Sequence, residues 1–326
     1  MAEHGHRPAD PRPLRIHPGH LAAMPVASAM SVKPRNLATP RWLLPFAVVG
    51  LLVVAGPLVG LVASIPWSQV PQLVSTQEAR QAFVLSLVTA TVSTVVCVVL
   101  GFPLSLWLRR WFALADCRGS GPLSGFSKAA VAAVQLLVYA PLVLSPVVSG
   151  LAMIFFWGRR GIVGGWLDSV GIHLAYTTLG VMMVQVFVSL PFFVATTVTA
   201  LAAIPRRLEE AAATEGASRT ETLRHIVIPL AAPGMATGAV LSFARSLSEF
   251  GATITFAGNI AGESRTIPLL VSLGLSSGDM DQALGACILL LGIYLFVIAA
   301  VAAVRVISAV SRASTASRIS SVGRTS

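Results

Sequence analysis

Residues 204–229 read IPRRLEEAAATEGASRTETLRHIVIP, the longest charged, helix-forming segment in an otherwise oily chain. Pro205 suits the first turn of a helix. Leu208, Glu209, Glu210 and the alanines 211–213 are good helix formers. Gly216 fits the left-handed residue just past a helix end. Ser218 then opens a second helix, with Glu221 at the spacing of a capping box, and Pro229 closes it. The expectation is helix, glycine turn, helix, kept in water by four Glu and four Arg. Apolar segments flank it on both sides, so the question is what those segments are.

They are membrane spans. Of 326 residues, 55% are hydrophobic and only 11% are charged. Soluble domains carry roughly 25% charged residues. Uncharged runs at 42–64, 82–108, 129–157, 177–203 and 284–304 reach or exceed the ~20 residues that cross a bilayer as helix. A further span starts near Leu230 but meets Arg245 and Glu249 early. The fold class expected is an all-α integral membrane protein of about six transmembrane helices, with the polar helix-glycine-helix loop between spans 4 and 5. Pro141 and Pro146 kink or interrupt the third span, and Pro191 lies inside the fourth. The transmembrane domain covers 41–305. A Pro-, Arg- and His-rich tail, 1–40, is read as disordered, and 306–326 is a Ser/Arg-rich tail.

Six spans put both termini on one side. Eighteen of the 23 Lys and Arg residues fall on that side, with the polar loop; four fall opposite, and Arg245 lies within a span. The positive-inside rule makes that side cytoplasmic. This accounts for the formal net charge of +10 without invoking nucleic acid. Membrane lipid is the partner that composition implies, and the basic tails suit anionic headgroups or plain solvation.

The spacing within 204–229 carries more. Glu210-Ala211-Ala212, three residues, Gly216, nine residues, then Ile226-Val227-Ile228-Pro229 resembles the EAA loop of ABC-importer membrane subunits, with Ile228 where that pattern has Leu. The resemblance implies a coupling helix that docks into a groove of an ABC ATPase subunit. Glu209, Glu210, Ala211, Ala212, Gly216, Ile226 and Pro229 are its coupling residues. Small alanines permit close approach, and the glycine sets the angle between the helices.

Ser242 to Leu270, SFARSLSEFGATITFAGNIAGESRTIPLL, is the second informative stretch. Arg245 and Glu249 are four apart and share a helix face. Ionisable residues at membrane depth face a bundle interior or an aqueous path, so the pair is either a structural brace or a gate. Gly251, Thr253, Thr255 and Asn259 offer neutral donors suited to an oxyanion that must be released again; packing by small residues is the alternative. EFGATITFAGNI, with Gly262, Thr266, Pro268 and Leu269, is similar to molybdate permeases within the molybdate/sulfate/tungstate group. Ser248 stands where that group commonly has glycine.

The resemblance spans about 40–305. It implies a homodimeric pore in the cytoplasmic (inner) cell membrane. Two copies of an ATPase and an extracytoplasmic molybdate-binding protein would serve it. A sulfate or tungstate permease is the near alternative. An ATP-independent transporter or channel is the distant one, and it leaves the EAA pattern unexplained.

No enzyme chemistry is expected of this chain, and no cofactor bound by it; ATP and Mg belong to the partner. Only Lys33 and Lys128 are lysines, and neither sits in a P-loop. Gly274 to Gly278 spells G-x-S-x-G, but no histidine follows His225 to complete a triad. Cys97, Cys117 and Cys287 have no metal spacing, and four histidines scattered through the first tail (His4, His6, His17, His20) are too loosely spaced for a metal tract.

Overall fold

The computed structural model describes residues 41–117 and 122–322, with side chains over 42–112 and 129–302. The expected tail at 1–40 lies outside the described residues. Every regular element among them is helical. A 3-10 turn, Arg41–Leu43, leads into α1, Leu44–Ala63. These residues form a compact unit separate from the rest of the chain, 65–326. α1 has no charged residue, and Pro57 sits inside it without ending it.

The second unit starts with α2, Val70–Ser75, and α3, Gln77–Cys117. Thr76 caps α3 by accepting the Ala79 N–H at 3.2 Å. At about 1.5 Å per residue, α3 outruns a ~30 Å hydrocarbon core, which carries Arg109 and Arg110 past the apolar zone. α4, Pro122–Val143, and α5, Pro146–Trp157, are the two halves of the third apolar run, bent by 119° at the break. The break falls at Pro146, not Pro141. Pro146 forces Ser145 into extended backbone (φ −62°, ψ 148°), and the Ser145 hydroxyl caps α5 at the Val148 N–H, 3.4 Å away. Pro103, Pro141, Pro191 and Pro233 all lie inside continuous helices.

A loop carrying α6, Gly164–Ser169, leads to α7, Thr178–Ala202. The polar segment forms α8, Arg206–Thr214, and α9, Arg219–Thr222. Next come a π turn, Leu223–Val227, and α10, Ile228–Leu247. Pro229 therefore does not close the second helix, contrary to the sequence expectation. From Arg219 to Leu247 the chain runs as one 29-residue span. Proline has no N–H for the turn before it, and its ring crowds a carbonyl there. The widened π turn relieves both: the Ile228 N–H bonds Leu223 O, five residues back.

The mixed stretch 251–281 resolves into two short helices. α11, Gly251–Ala257, is too short to cross a bilayer, as is α12, Ile267–Ser277. α13, Met280–Val322, is the last span and continues as helix through the Ser/Arg-rich stretch. Among the described residues, five helices are long and apolar enough to cross a membrane, and the bent α4–α5 pair makes a sixth.

α3, α7 and α10 pack side by side along a polar seam. Ser93 Oγ donates to Gln185 Oε1 (3.0 Å), and Gln185 Nε2 to Thr89 Oγ1 (3.2 Å). Ser242 Oγ donates to Ser189 O and Ser246 Oγ to Ser189 Oγ, both at 3.0 Å. Ser86 Oγ accepts the first N–H of α12, Ile267, at 2.8 Å. All of these side chains on α3, α7 and α10 are buried. Without water, helices associate through such bonds and close packing, so the seam locks three spans and α12 into one body. Leu247, Ile267, Leu270 and Ile293 form an apolar cluster beside it.

Candidate functional site

Two places gather the residues singled out in the sequence. The first is the α8–α9 hairpin. Pro205 is its N-cap residue, and the helix proper starts at Arg206. At its turn Gly216 adopts φ +85°, and a Cβ there would meet nothing within 4 Å. The Ala217 N–H reaches Ala212 O (3.0 Å) and the Gly216 N–H reaches Ala213 O (3.1 Å), the closing bonds of a left-handed helix end. Ser218 and Glu221 form the expected capping box: Ser218 N–H to Glu221 Oε2 at 2.7 Å, Glu221 N–H to Ser218 Oγ at 3.3 Å.

Glu210 and Ala211 are exposed; Ala212 and Ile226 are half-buried; Pro229 is exposed at the start of α10. The hairpin is rooted by Ile204 before it and Val227 after it, which pack with Leu201 and Ala231. Glu209 is not free: Arg109 at the far end of α3 donates to it from Nη2 at 2.5 Å. Between α3 and the hairpin lies a cleft of about 800 Å³, edged by Arg109, Arg110, Arg206, Arg219, Glu209 and Glu210. The sequence reading missed Arg109. Its signal was the length of the α3 helical run, which carries the basic residues past the bilayer rather than leaving them in a loop.

The second place is the break between α10 and α11. α10 ends at Leu247 with Ser248 as its cap, so Glu249 is no longer on the helix that carries Arg245. Shared helical periodicity therefore does not explain the pair. The contact is nonetheless made: Arg245 Nη2 lies 2.6 Å from Glu249 Oε2. The other oxygen of Glu249, Oε1, accepts the Ala252 N–H at 2.8 Å. A carboxylate at the first turn of a helix favours its dipole and fills an orphan donor.

Gly251 sits directly against Pro146; a Cβ on Gly251 would come within 2.5 Å of Pro146 Cβ. Gly150 makes the matching approach, with Thr255 Cβ 2.5 Å from where its own Cβ would lie. The N-terminal ends of α5 and α11 thus meet at the two helix breaks. Thr255 Oγ1 is taken up by Gly251 O (2.7 Å). The Thr253 hydroxyl is buried and without a partner among the described residues.

Asn259 lies apart, beyond α11, and is not a free donor. Its Nδ2 donates to Leu269 O (3.1 Å), and its Oδ1 accepts from Arg265 Nε (2.8 Å). It braces the 258–266 loop onto α12. Pro146 is expected from the sequence only as a kink in the third span, and Gly150 is not singled out there; what marks both is a contact between segments a hundred residues apart. Among the described residues no three His, Cys, Asp or Glu cluster to hold a metal.

These features define a multi-pass helical membrane protein with a water-facing hairpin at one end and broken helices within its span. Residues 79–320 match the family of binding-protein-dependent transport system inner membrane components, and the chain belongs to that family. It is therefore a transport subunit, not an enzyme. The molybdenum transport system permease protein ModB of Mycobacterium bovis is 38% identical over 262 residues, 80% of this chain and 93% of that one. ModB of Escherichia coli is 43% identical over 155 residues, 47% of this chain and 68% of that one. The fold is shared with a chain in the crystal structure of a bacterial alginate ABC transporter in complex with an alginate pentasaccharide-bound periplasmic protein. There the TM-score is 0.60 at 20% identity, over 79% of this chain and 90% of that one.

Proposed function

We propose that this chain is the membrane subunit of an ATP-driven ABC importer that carries molybdate inward. The observation that carries the reading is the 38% identity to a molybdenum permease across 93% of that relative, on a chain whose family is binding-protein-dependent. The chain works as a homodimer in the cytoplasmic (inner) membrane with both termini in the cytoplasm. An extracytoplasmic binding protein delivers the oxyanion, and two ATPase subunits, which hold ATP and Mg, receive the α8–α9 hairpins. The charge asymmetry of the loops supports that orientation.

The geometry suggests how force would travel. The hairpin joins α7 directly to the 219–247 span, and Ser189 ties those two helices together at mid-depth through Ser242 and Ser246. A push on Glu210 and Gly216 therefore moves α7 and α10 as one body. The far end of that body is the break where α10 gives way to α11. Alternating access follows if the two positions of the hairpin differ in how the breaks are packed.

The test is uptake of labelled molybdate into vesicles holding the permease, its ATPase and the binding protein, with sulfate and tungstate as competitors. Uptake that needs ATP and that excess sulfate barely reduces supports the reading. Equal competition by sulfate moves the cargo to sulfate, and by tungstate leaves it shared. Uptake indifferent to ATP sinks the coupling role of the hairpin.

A further inference from the structure

The Arg245–Glu249 pair is asymmetric in a way that a plain structural brace does not require. The Glu249 side chain is 1% exposed and that of Arg245 25%. Both stand at mid-depth, because neighbouring Ser246 bonds Ser189, near the middle of α7. A guanidinium reaching the surface of a helical bundle at that depth is costly against lipid. It is tolerable only against an aqueous path or a second polypeptide.

Glu249 is spoken for on both oxygens. One holds Arg245, and the other holds the first turn of α11 through Ala252 N–H. Arg245 spends only part of its five donors on that carboxylate. Beside it in the chain the hydroxyl of Ser248, the cap of α10, is taken up by Arg245 O at 3.1 Å, so it is the guanidinium that keeps unspent donors. The break between α4 and α5 meets it through the backbone: Glu249, which holds Arg245, is two residues from Gly251, and Gly251 sits against Pro146. A partly exposed guanidinium with unspent donors, tied through Glu249 to the point where two half-helices begin, is an arrangement that would receive a tetrahedral oxyanion.

We propose that Arg245 is the side chain that touches the permeating oxyanion, and that Glu249 is its positioning residue. Glu249 keeps the guanidinium from binding the dianion too tightly and ties Arg245 to α11. When the α5–α11 contact shifts, Glu249 shifts with α11 and re-aims Arg245. The partial neutralisation by Glu249 answers the requirement that a transport site release what it holds. The inference rests on the import reading above and adds to it the residue that meets the cargo.

The experiment uses the full assembly and reads two quantities, molybdate moved per ATP hydrolysed and the ATPase rate itself. Arg245→Gln should lower molybdate per ATP by about tenfold, the scale of one charge-assisted hydrogen bond, with the ATPase rate retained. Arg245→Lys should fall between it and the parent. Glu249→Gln keeps an amide oxygen for the Ala252 N–H but frees Arg245; transport per ATP should hold while turnover slows. The decisive variant is Arg245→Gln with Glu249→Gln. A contact residue leaves this double variant as poor as Arg245→Gln alone. A structural ion pair predicts the reverse, because removing both charges leaves no uncompensated buried charge. Restoration of transport in the double variant, or losses that merely track the amount of folded protein, overturns the proposal. If the unaltered assembly shows no ATP-driven uptake, the import reading itself fails and this inference goes with it.

Discussion

Gly216 and Gly251 stand at the two turns on which this molecule's proposed action depends, and they are glycines for opposite reasons. Gly216 turns the hairpin in open space. Its φ is +85°, and a Cβ there would touch nothing within 4 Å. Gly251 begins α11 without a left-handed backbone, but a Cβ there would lie 2.5 Å from Pro146 Cβ. The first is needed for the shape of its own backbone and the second for the closeness of another segment. A helix end in water is specified locally; a helix break inside the bundle is specified by what lies across from it.

The comparison breaks most readily at Gly251. Gly251→Val inserts branched bulk against the ring of Pro146, at the point where α5 itself begins. Overpacking of this kind costs about 1–3 kcal/mol and occasionally more. The expected outcome is a lower thermal midpoint and less monodisperse protein in detergent. A Gly251→Val protein as stable as the parent would show that the α5–α11 contact is looser than the geometry states. The companion Gly150→Val, against Thr255 on the same contact, should behave alike.

Gly216→Val should separate shape from stability. A β-branched residue in the left-handed region costs on the order of 1–2 kcal/mol, borne by an exposed hairpin whose unwinding leaves the bundle intact. The bundle's thermal midpoint should change little, while ATP-driven uptake falls away from ATP hydrolysis. Gly216→Asn, which tolerates that backbone better, should retain more coupling. Coupled uptake undiminished in Gly216→Val removes the mechanical role of the turn.

The same contrast explains what could be read from the sequence. The hairpin was legible almost residue by residue: Gly216 as the left-handed residue and Ser218 with Glu221 as a capping box depend only on neighbours in the chain. Most span positions were legible for the same reason, since an uncharged run is a local property. What escaped was non-local. Pro229 looks like a stop, yet a π turn carries the helix through it. Pro141 and Pro146 look alike, yet only Pro146 coincides with the break. Arg245 and Glu249 were paired on helical spacing, and the pair exists although the helix ends between them. Asn259 looked like a spare donor until Leu269 and Arg265 were found on its two ends. Arg109 could be recognised only once α3 was long enough to bring it to Glu209.

The Arg109–Glu209 pair sharpens the comparison from the hairpin's side. Among the described residues it is the one long-range ionic contact of the hairpin, and both partners keep some exposure, 20% and 35% of their side chains. Pairs of that kind contribute about 0.2–1 kcal/mol. Arg109→Gln and Glu209→Gln should each lower stability slightly, and a double-mutant cycle should return a coupling within that range. It should shrink at high salt, because exposed charges are screened. A coupling well beyond it would mean that the hairpin is held to α3 far more firmly than a movable element should be.

The smallest effect belongs to a third turn, the 158–176 loop, which is shaped by charge as well as by backbone. Asp168 Oδ1 accepts from Arg159 Nε at 3.1 Å and contacts His173 Nδ1 at 2.5 Å. The Arg159 hydrogen bond holds the Asp168 carboxyl below its ordinary range against the opposing effect of desolvation, with further help from His173 and from the charge of Arg159. Because the folded value is depressed, the contribution of this carboxylate is fully present above the ordinary aspartate value of about 4. It is lost as pH falls through the lower, folded value. Hydrogen exchange of the 158–176 loop should therefore accelerate only at strongly acid pH, while Asp168→Asn should exchange faster at neutral pH and lose that acid dependence. The Gly216 turn, whose shape comes from φ rather than from this carboxylate, should show no such response to Asp168→Asn at any pH. If both turns loosened together in that variant, the loop and the hairpin would not be separate in their determinants, and the division between locally and remotely specified turns would have to be redrawn.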